Sequence, residues 1–351
     1  MLWPFILKQD IEIGFAYHSF RWSNNAKYNA GVTCAIVGLR SISSKPKYIF
    51  DGEEKKKVAI INPYLSDGTT VIVERQSESI SGFPSMDFGS MANDDGALLL
   101  DPYQKNQLLE HNPNSAEFIK RIYGALEFIR GEEKFCLWIE DAELSKAKKI
   151  PEILARIEKC RMARLGSKRL ATNKLASCAH RFAEIRYKAT DSIIVPRVSS
   201  ESREYIPMGY LNAGTVVSDS AFAIYDAEPW LFGLLESKMH MAWVRTVGGR
   251  LETRYRYSAQ LCYNTFPFPK ISSAKRTALS EAAEEVLMAR AGHPEKTLAE
   301  MYDPEKMPRD LREAHQALDD LVDSCYPGYP FANDEARLEC LFKLYEKMTA
   351  K

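Results

Sequence analysis

Paired cysteines are missing from this sequence. Its seven cysteines, at 34, 136, 160, 178, 262, 325 and 340, stand singly, without a C-x-x-C pair. That usage excludes a disulfide framework and a cysteine-based zinc site, and it fits a reducing cytoplasm. The six histidines do not cluster with cysteines or carboxylates at ligand spacing, so no metal site is expected. No apolar run is long enough to span a bilayer. The opening MLWPFILKQD is interrupted at Lys8, too early for a signal sequence, so no membrane partner is expected. Internal repeats and low-complexity tracts are absent. Net charge is absent too, since 47 Lys/Arg balance 47 Asp/Glu over 351 residues. With 45% hydrophobic side chains the chain can bury more than one core, and two or three domains are the natural division.

The neutral average hides an asymmetry. Residues 151–200 hold eleven Lys/Arg against four Asp/Glu, a net of +7, whereas residues 271–351 hold sixteen acids and eleven bases, a net of −5. A basic block inside a neutral chain is the electrostatic signature of a nucleic-acid face. The block opens on a helix predicted from Pro151 to about Lys174, with proline in its first turn. On it Arg161, Arg164 and Lys168 fall at i, i+3 and i+7, with Arg169 and Lys174 beside them, a set suited to DNA phosphates. A solvated basic face is the plainer reading. The loop Arg197 to Tyr205 carries Ser199, Ser200, Arg203 and Tyr205 among Glu201 and Glu204. Serine hydroxyls suit phosphate oxygens and arginine suits the two major-groove acceptors of guanine, while a loop closed by its own ion pairs is the alternative.

Apolar patterning divides the rest. Ile11 to Phe20 and Gly31 to Leu39 read as a hairpin, and Lys45 to Lys57 reads as a charged linker. Within it, Glu53-Glu54-Lys55 mimics the E-x-K of a nuclease core but sits in DGEEKKK, a solvated turn. Short strand-like runs (TTVIVE, ALLL, FCLWIE) follow, and Ala116 to Ile129 has helical amphipathicity. Strands are expected over Phe182 to Val195 and Thr215 to Ile224, and helices over Leu231 to Val247, 274–291, 308–324 and 333–348. Val247-Gly248-Gly249-Arg250 should end its helix through glycine's tolerance of positive φ. His240, between Met239 and Met241 with Trp243 nearby, reads as a packing residue. Tyr255, Tyr257, Tyr263, Phe266 and Phe268, spaced among prolines, read as a core-anchoring strand and exit turn rather than a stacking surface.

Several longer segments, in order, carry a family likeness: INPYL (from Ile61), FCLWIED around Trp138, RMARLGSKRLATNK (from Arg161) and VPRVSSESREYIPMGY (from Val195). FGLLESKMHMAWVRTVGGRLETRYR, YRYSAQLCYNTFPFP (from Tyr255), YDPEKMPRDLREAHQALD (from Tyr302) and LFKLYEK (from Leu341) continue it. Together they resemble the target recognition region of the type IIL restriction-modification enzymes, single polypeptides that join a nuclease to an adenine-N6 DNA methyltransferase.

The resemblance implies a mixed α+β fold. Residues 1–58 would be a C-terminal hairpin remnant of the methyltransferase domain, 59–270 an α+β target recognition domain and 271–351 a C-terminal helical domain. It implies double-stranded DNA as partner and S-adenosylmethionine as the cofactor of the complete enzyme. The glycine-rich cofactor turn and the N/D-P-P-Y/F loop of such enzymes are missing here. Asn62-Pro63-Tyr64 and Asp101-Pro102-Tyr103 lack the second proline and read as proline turns. No catalytic residue and no cofactor are therefore expected on this chain, which reads as a C-terminal piece. The alternatives are a subunit completed in trans by a separate methyltransferase chain, and a protein-interaction scaffold unrelated to DNA. Phe20 or Trp22 matches the family position that stacks on a flipped base. As the last two strands of a methyltransferase sheet, the Ile11–Leu39 hairpin would be an orphaned edge, hydrophobic on both faces.

Overall fold

The structure, a computed structural model, describes residues 3–7, 9–21 and 33–350. Four small sheets and a set of helices share four hydrophobic clusters.

At the N-terminal end, the helix Trp3–Leu7 leads into the strand Ile11–Arg21, which pairs antiparallel with Thr33–Ser41, the hairpin expected from sequence. The segment expected as a linker is instead a second hairpin. Lys47–Asp51 runs parallel to Ile11–Arg21, with Phe15 opposite Tyr48, and turns at Gly52 (φ 57°) into Glu54–Val58. Charge had masked a period of two: Ile49 faces in with Ile13, Ala16, Val58 and Ile61, while Tyr48 and Phe50 lie on the opposite face. One edge of the first hairpin is thus paired rather than orphaned, and the rings of Tyr17 and Phe50 stack at 4.4 Å. Glu53, Glu54 and Lys55 are exposed, but only Glu53 lies in the turn expected of all three; Glu54 and Lys55 open the strand Glu54–Val58.

A second sheet orders Thr215–Val217, Ile119–Tyr123, Phe135–Leu137 and Leu99–Leu100. Its core holds Ile153, Ile157 and Cys160 of the helix Pro151–Leu165. The helix expected over 116–129 is replaced by a 3-10 turn at Pro113–Phe118, the strand Ile119–Tyr123 and the short helix Ala125–Arg130. Two neighbouring strands offer Ile119–Tyr123 ladder partners on both sides, which outweighs a weak helical period.

The third sheet, Gly209–Leu211, Ser192–Pro196, Ala221–Tyr225 and Met86–Phe88, is antiparallel throughout, and its central strands are buried along their whole length. The strand expected from Phe182 starts only at Ser192. The run expected from Thr215 to Ile224 divides between two sheets, because Ser218-Asp219-Ser220 turn the chain.

The helix expected over 231–247 is broken into Pro229–Leu235 and Lys238–Val247. Ser237 restarts it, its Oγ accepting from His240 N at 3.3 Å and donating to Leu234 O at 2.7 Å. Lys238–Val247 ends at Gly248, but in an extended conformation (φ −70°, ψ 155°) and not at positive φ. Glycine is required there because a Cβ would lie 2.4 Å from Val244 O.

The helices Ser273–Ala291, Arg309–Asp323 and Asp334–Thr349 match their expected spans closely. Their Leu279, Val286, Leu311, Leu318 and Leu341 join Ile193, Phe222, Leu231 and Trp243 in one core, so apolar packing continues across residue 271. Among the described residues no helix is long and apolar enough to cross a membrane.

Candidate nucleic-acid interface

The basic segment folds differently from its helical reading. The helix Pro151–Leu165 stops because Asn173 Nδ2 donates to the carbonyls of Arg164, Leu165 and Ser167 at 3.1, 2.7 and 3.1 Å, capping its end. The chain then re-enters helix only at Leu170–Lys174. Lys168 is therefore in the connecting turn, not on the face of Arg161 and Arg164.

Arg164 is fully buried. Its guanidinium donates to the carbonyls of Asn93 (3.1 Å), Ala92 (2.9 Å), Leu175 (3.0 Å), Cys178 (3.0 Å) and Arg181 (2.7 Å). Every N–H is used internally, which rules out the phosphate contact expected of it. Arg161 is exposed and bonds Glu158 at 2.7 Å. Of the five basic candidates, Lys168, Arg169 and Lys174 are exposed without an ion pair among the described residues, as are Lys159 and Lys188 of the same segment, and Leu170 is 82% exposed beside Arg169. Arg181 pairs with Asp141 at 2.9 Å and Arg186 pairs with Glu184.

The loop from Arg197 is likewise divided. Val198–Ser199 is a short strand paired with Arg254–Arg256, and Ser199 is buried. Ser200 Oγ lies 2.9 Å from Ser202 Oγ, and Arg203 Nη1 is 3.5 Å from Ser199 Oγ. Arg203 is half-buried, and that burial lowers its guanidinium pKa. Tyr205 is a correction: it is 2% exposed, donates to Asp319 Oδ2 at 2.7 Å and stacks on His315 at 4.0 Å, so its ring is packed against helix rather than offered to DNA. Burial, then the Asp319 carboxylate, pushes its pKa up.

Beside that loop, the hairpin Gly249–Leu251 and Arg254–Arg256 completes a three-stranded sheet. Alternation decides its faces. Tyr255 points inward and is buried, while its strand neighbours Arg254 and Arg256 are exposed on the opposite face; Arg250, paired with Tyr255, and Glu252 in the turn are exposed as well. Arg250 lies over the Tyr255 ring at 4.0 Å, Arg254 Nη2 is 2.9 Å from Glu252 Oε2, and Glu252 takes the turn at φ 58°. The R-Y-R alternation at 254–256 was visible in the sequence but was absorbed into the aromatic run. Thr253 Oγ1 bonds Glu201 Oε1 at 2.5 Å, which holds the Glu201 carboxyl below its usual range.

The remaining aromatic assignments hold. Tyr255, Tyr257, Tyr263, Phe266 and Phe268 are all buried. His240 is buried with Nε2 2.8 Å from Tyr257 OH, and burial pushes its pKa down to about 3, so it packs as a neutral ring. Phe20 is 38% exposed on the first strand, opposite Cys34; Trp22 lies outside the described residues.

The turns that most resemble a methyltransferase's cofactor and substrate loops are closed by their own packing. Gly124 is placed as a cofactor turn would be, after Ile119–Tyr123 and before Ala125–Arg130, but it stands alone and a Cβ there would meet Ser220 Oγ at 2.3 Å. Asn62 is buried, its Oδ1 accepting from Tyr64 N (2.9 Å) and Ser66 N (3.2 Å) and its Nδ2 donating to Ser66 Oγ (2.8 Å), so it closes its own turn instead of holding a substrate amine. Asp101 caps the helix Pro102–His111 through Gln104. Among the described residues no cluster of His, Cys, Asp and Glu is arranged for a metal.

Comparison with known proteins gives matches along the whole chain. Residues 67–270 match the family model for the MmeI target recognition domain, 271–351 that for the MmeI C-terminal domain and 1–51 that for the MmeI DNA-methyltransferase domain. DNA methyltransferase A of Bacillus subtilis (strain 168) is 44% identical over 100% of this chain and 40% of the relative. A solved structure of the type IIL restriction-modification enzyme MmeI in complex with DNA superposes with a TM-score of 0.93 at 41% identity, covering 100% of this chain and 48% of that one. The chain thus spans less than half the length of either. It belongs to the MmeI family of type IIL DNA methyltransferases, with a methyltransferase-domain fragment followed by the target recognition and C-terminal domains.

Proposed function

We propose that this chain is the DNA-reading portion of a site-specific adenine-N6 methyltransferase, working in the cytoplasm on double-stranded DNA. The observation that carries this reading is the sheet of Val198–Ser199, Arg254–Arg256 and Gly249–Leu251. It sets Arg254 and Arg256 outward on a ribbon whose other side is anchored by buried Tyr255, with exposed Arg250 over the Tyr255 ring at the edge of that side. A two-stranded ribbon fits the major groove, and arginine is the side chain best matched to guanine there. Lys168, Arg169 and Lys174 supply unpaired charge for the phosphate backbone, which fixes register without reading sequence. Ser200 and Arg203 border the ribbon and share in its contacts. Residues 1–58 act as the junction to the methyltransferase domain, 59–270 as the reading domain and 271–351 as its helical support. Phe20 stacks on the flipped base. Methyl transfer from S-adenosylmethionine belongs to the complete family enzyme, since here the Gly124 turn packs against Ser220 and the Asn62 side chain closes its own turn.

The test is selection from random-sequence duplexes with the purified chain, followed by anisotropy titrations across salt. Enrichment of one motif over a salt-sensitive background supports the reading. Binding that is equal for all duplexes, or absent at low salt, refutes it.

A further inference from the structure

We infer that the C-terminal helix Arg309–Asp323 sets the sequence discrimination of this chain, with Arg312 and Asp319 as positioning residues that clamp the loop 200–208. The inference rests on the DNA-reading proposal and names what holds that site in register.

The loop is a strap between two structures. At one end it is tied to the reading ribbon, since Glu201 Oε1 accepts from Thr253 Oγ1 at 2.5 Å and Glu201 O accepts from Tyr255 OH at 3.3 Å. At the other end it is tied to helices far along the chain. Arg312 Nη1 donates to Glu204 Oε1 at 2.6 Å while its Nη2 donates to Pro304 O at 3.0 Å, so the guanidinium is fixed on both sides. Arg245 Nη2 donates to Glu204 O at 3.2 Å. Tyr205 reaches Asp319 Oδ2 at 2.7 Å, and the other oxygen of Asp319 accepts from Lys238 N at 2.7 Å. Met208 closes the strap: its N–H donates to Glu236 Oε1 at 2.6 Å and its carbonyl accepts from Arg290 Nη1 at 2.5 Å.

None of the anchors at this second end comes from the loop itself or from the ribbon. Between Glu201 and Glu204 the chain is polar and free of regular structure, so the position of Arg203 rests on the two ends of the strap together with its own long contacts at 3.5 Å to Ser199 Oγ and from Arg245 Nη2. Bidentate base contacts demand placement to within about 0.5 Å, and an unanchored loop spends binding energy on its own ordering. Loss of an anchor should therefore weaken the correct duplex more than the wrong one, because phosphate contacts tolerate looser geometry. Exchanging residues up to 270 between relatives without 309–323 would separate Glu204 from Arg312.

The experiment compares Arg312→Ala, Arg312→Lys and Tyr205→Phe with the unmodified chain, and uses Arg309→Ala, whose side chain bonds only Glu313 on the same helix among the described residues, as the control. Two quantities are read: the affinity ratio between the selected and a scrambled duplex, and hydrogen exchange of the amides in 200–208. The expected result is a ratio lowered about three- to tenfold in Arg312→Ala and Tyr205→Phe, the share of one hydrogen bond. Scrambled-duplex affinity should be unchanged, exchange faster, Arg312→Lys partly restored and Arg309→Ala silent. An unchanged ratio with unchanged exchange in both variants overturns the clamp. If the unmodified chain selects no motif, the DNA-reading proposal fails by itself, and exchange alone then decides whether the helix holds the loop.

Discussion

Replacing Arg164 with Met should unfold much of what surrounds the basic segment. The side chain is fully buried and its five donors each meet a backbone carbonyl between 2.7 and 3.1 Å, from residues on three separate stretches: 92–93, 175–178 and 181. Hydrogen bonds to a charged group contribute about 1.5 to 3 kcal/mol each, and they are not additive. Met restores most of the volume but none of the five donors; Ala92 O and Cys178 O keep the N–H groups of Ala183 and Arg181, while the carbonyls of Asn93 and Arg181 lose their guanidinium partner. A loss of at least about 4 kcal/mol follows, a large part of the roughly 5 to 15 kcal/mol that holds a typical domain folded. Urea denaturation followed by tryptophan fluorescence measures it. Arg164→Lys, with three donors on a flexible stem, should lie between the two. Under native conditions the salt dependence of DNA binding should keep its slope, since Arg164 neutralises no phosphate. A variant within about 1 kcal/mol of the parent, with a slope flattened by about one unit, would refute the reasoning and return Arg164 to the DNA face.

Three further outcomes are expected. Changing Lys168, Arg169 and Lys174 together to Ala should weaken binding to every duplex alike and flatten the salt slope by up to about 2.7 units, read by anisotropy between low and moderate salt. Arg254→Ala should relax preference at one base pair, by about 1 to 3 kcal/mol, while leaving binding to scrambled DNA nearly intact; Arg203→Ala, tested beside it, shows whether the loop reads bases as well. For Glu12, burial favours the neutral acid, but hydrogen bonds from Lys47 and Arg40 outweigh it and hold the carboxyl below its usual range. Because the folded pKa is the lower one, that stabilisation is complete above the ordinary glutamate value and is lost as pH falls through the folded value. The difference in urea midpoint between the parent and Glu12→Gln should shrink accordingly on acidification.

The sequence by itself determined what depends on neighbours in the chain. The N-terminal hairpin, the three C-terminal helices, the packing role of His240 and the inward aromatic residues at 255–268 all follow from local period and composition, because burial of one face is written into residue spacing. The family likeness was legible for the same reason, in contiguous words such as VPRVSSESREYIPMGY.

Only the tertiary structure decided the rest. Ile119–Tyr123 became a strand because partners distant in sequence supplied its ladder, and Lys47–Val58 became a hairpin because Ile11–Arg21 offered an edge. Arg164 and Tyr205 changed from candidate contacts to buried anchors for a reason that no spacing encodes. An arginine on a basic stretch and an arginine ringed by carbonyls have the same letters around them, and what separates them is whether residues 92–93 and 175–181 close over the side chain. Phosphate-facing charge and structural charge differ in solvation, and solvation is a property of the packed chain.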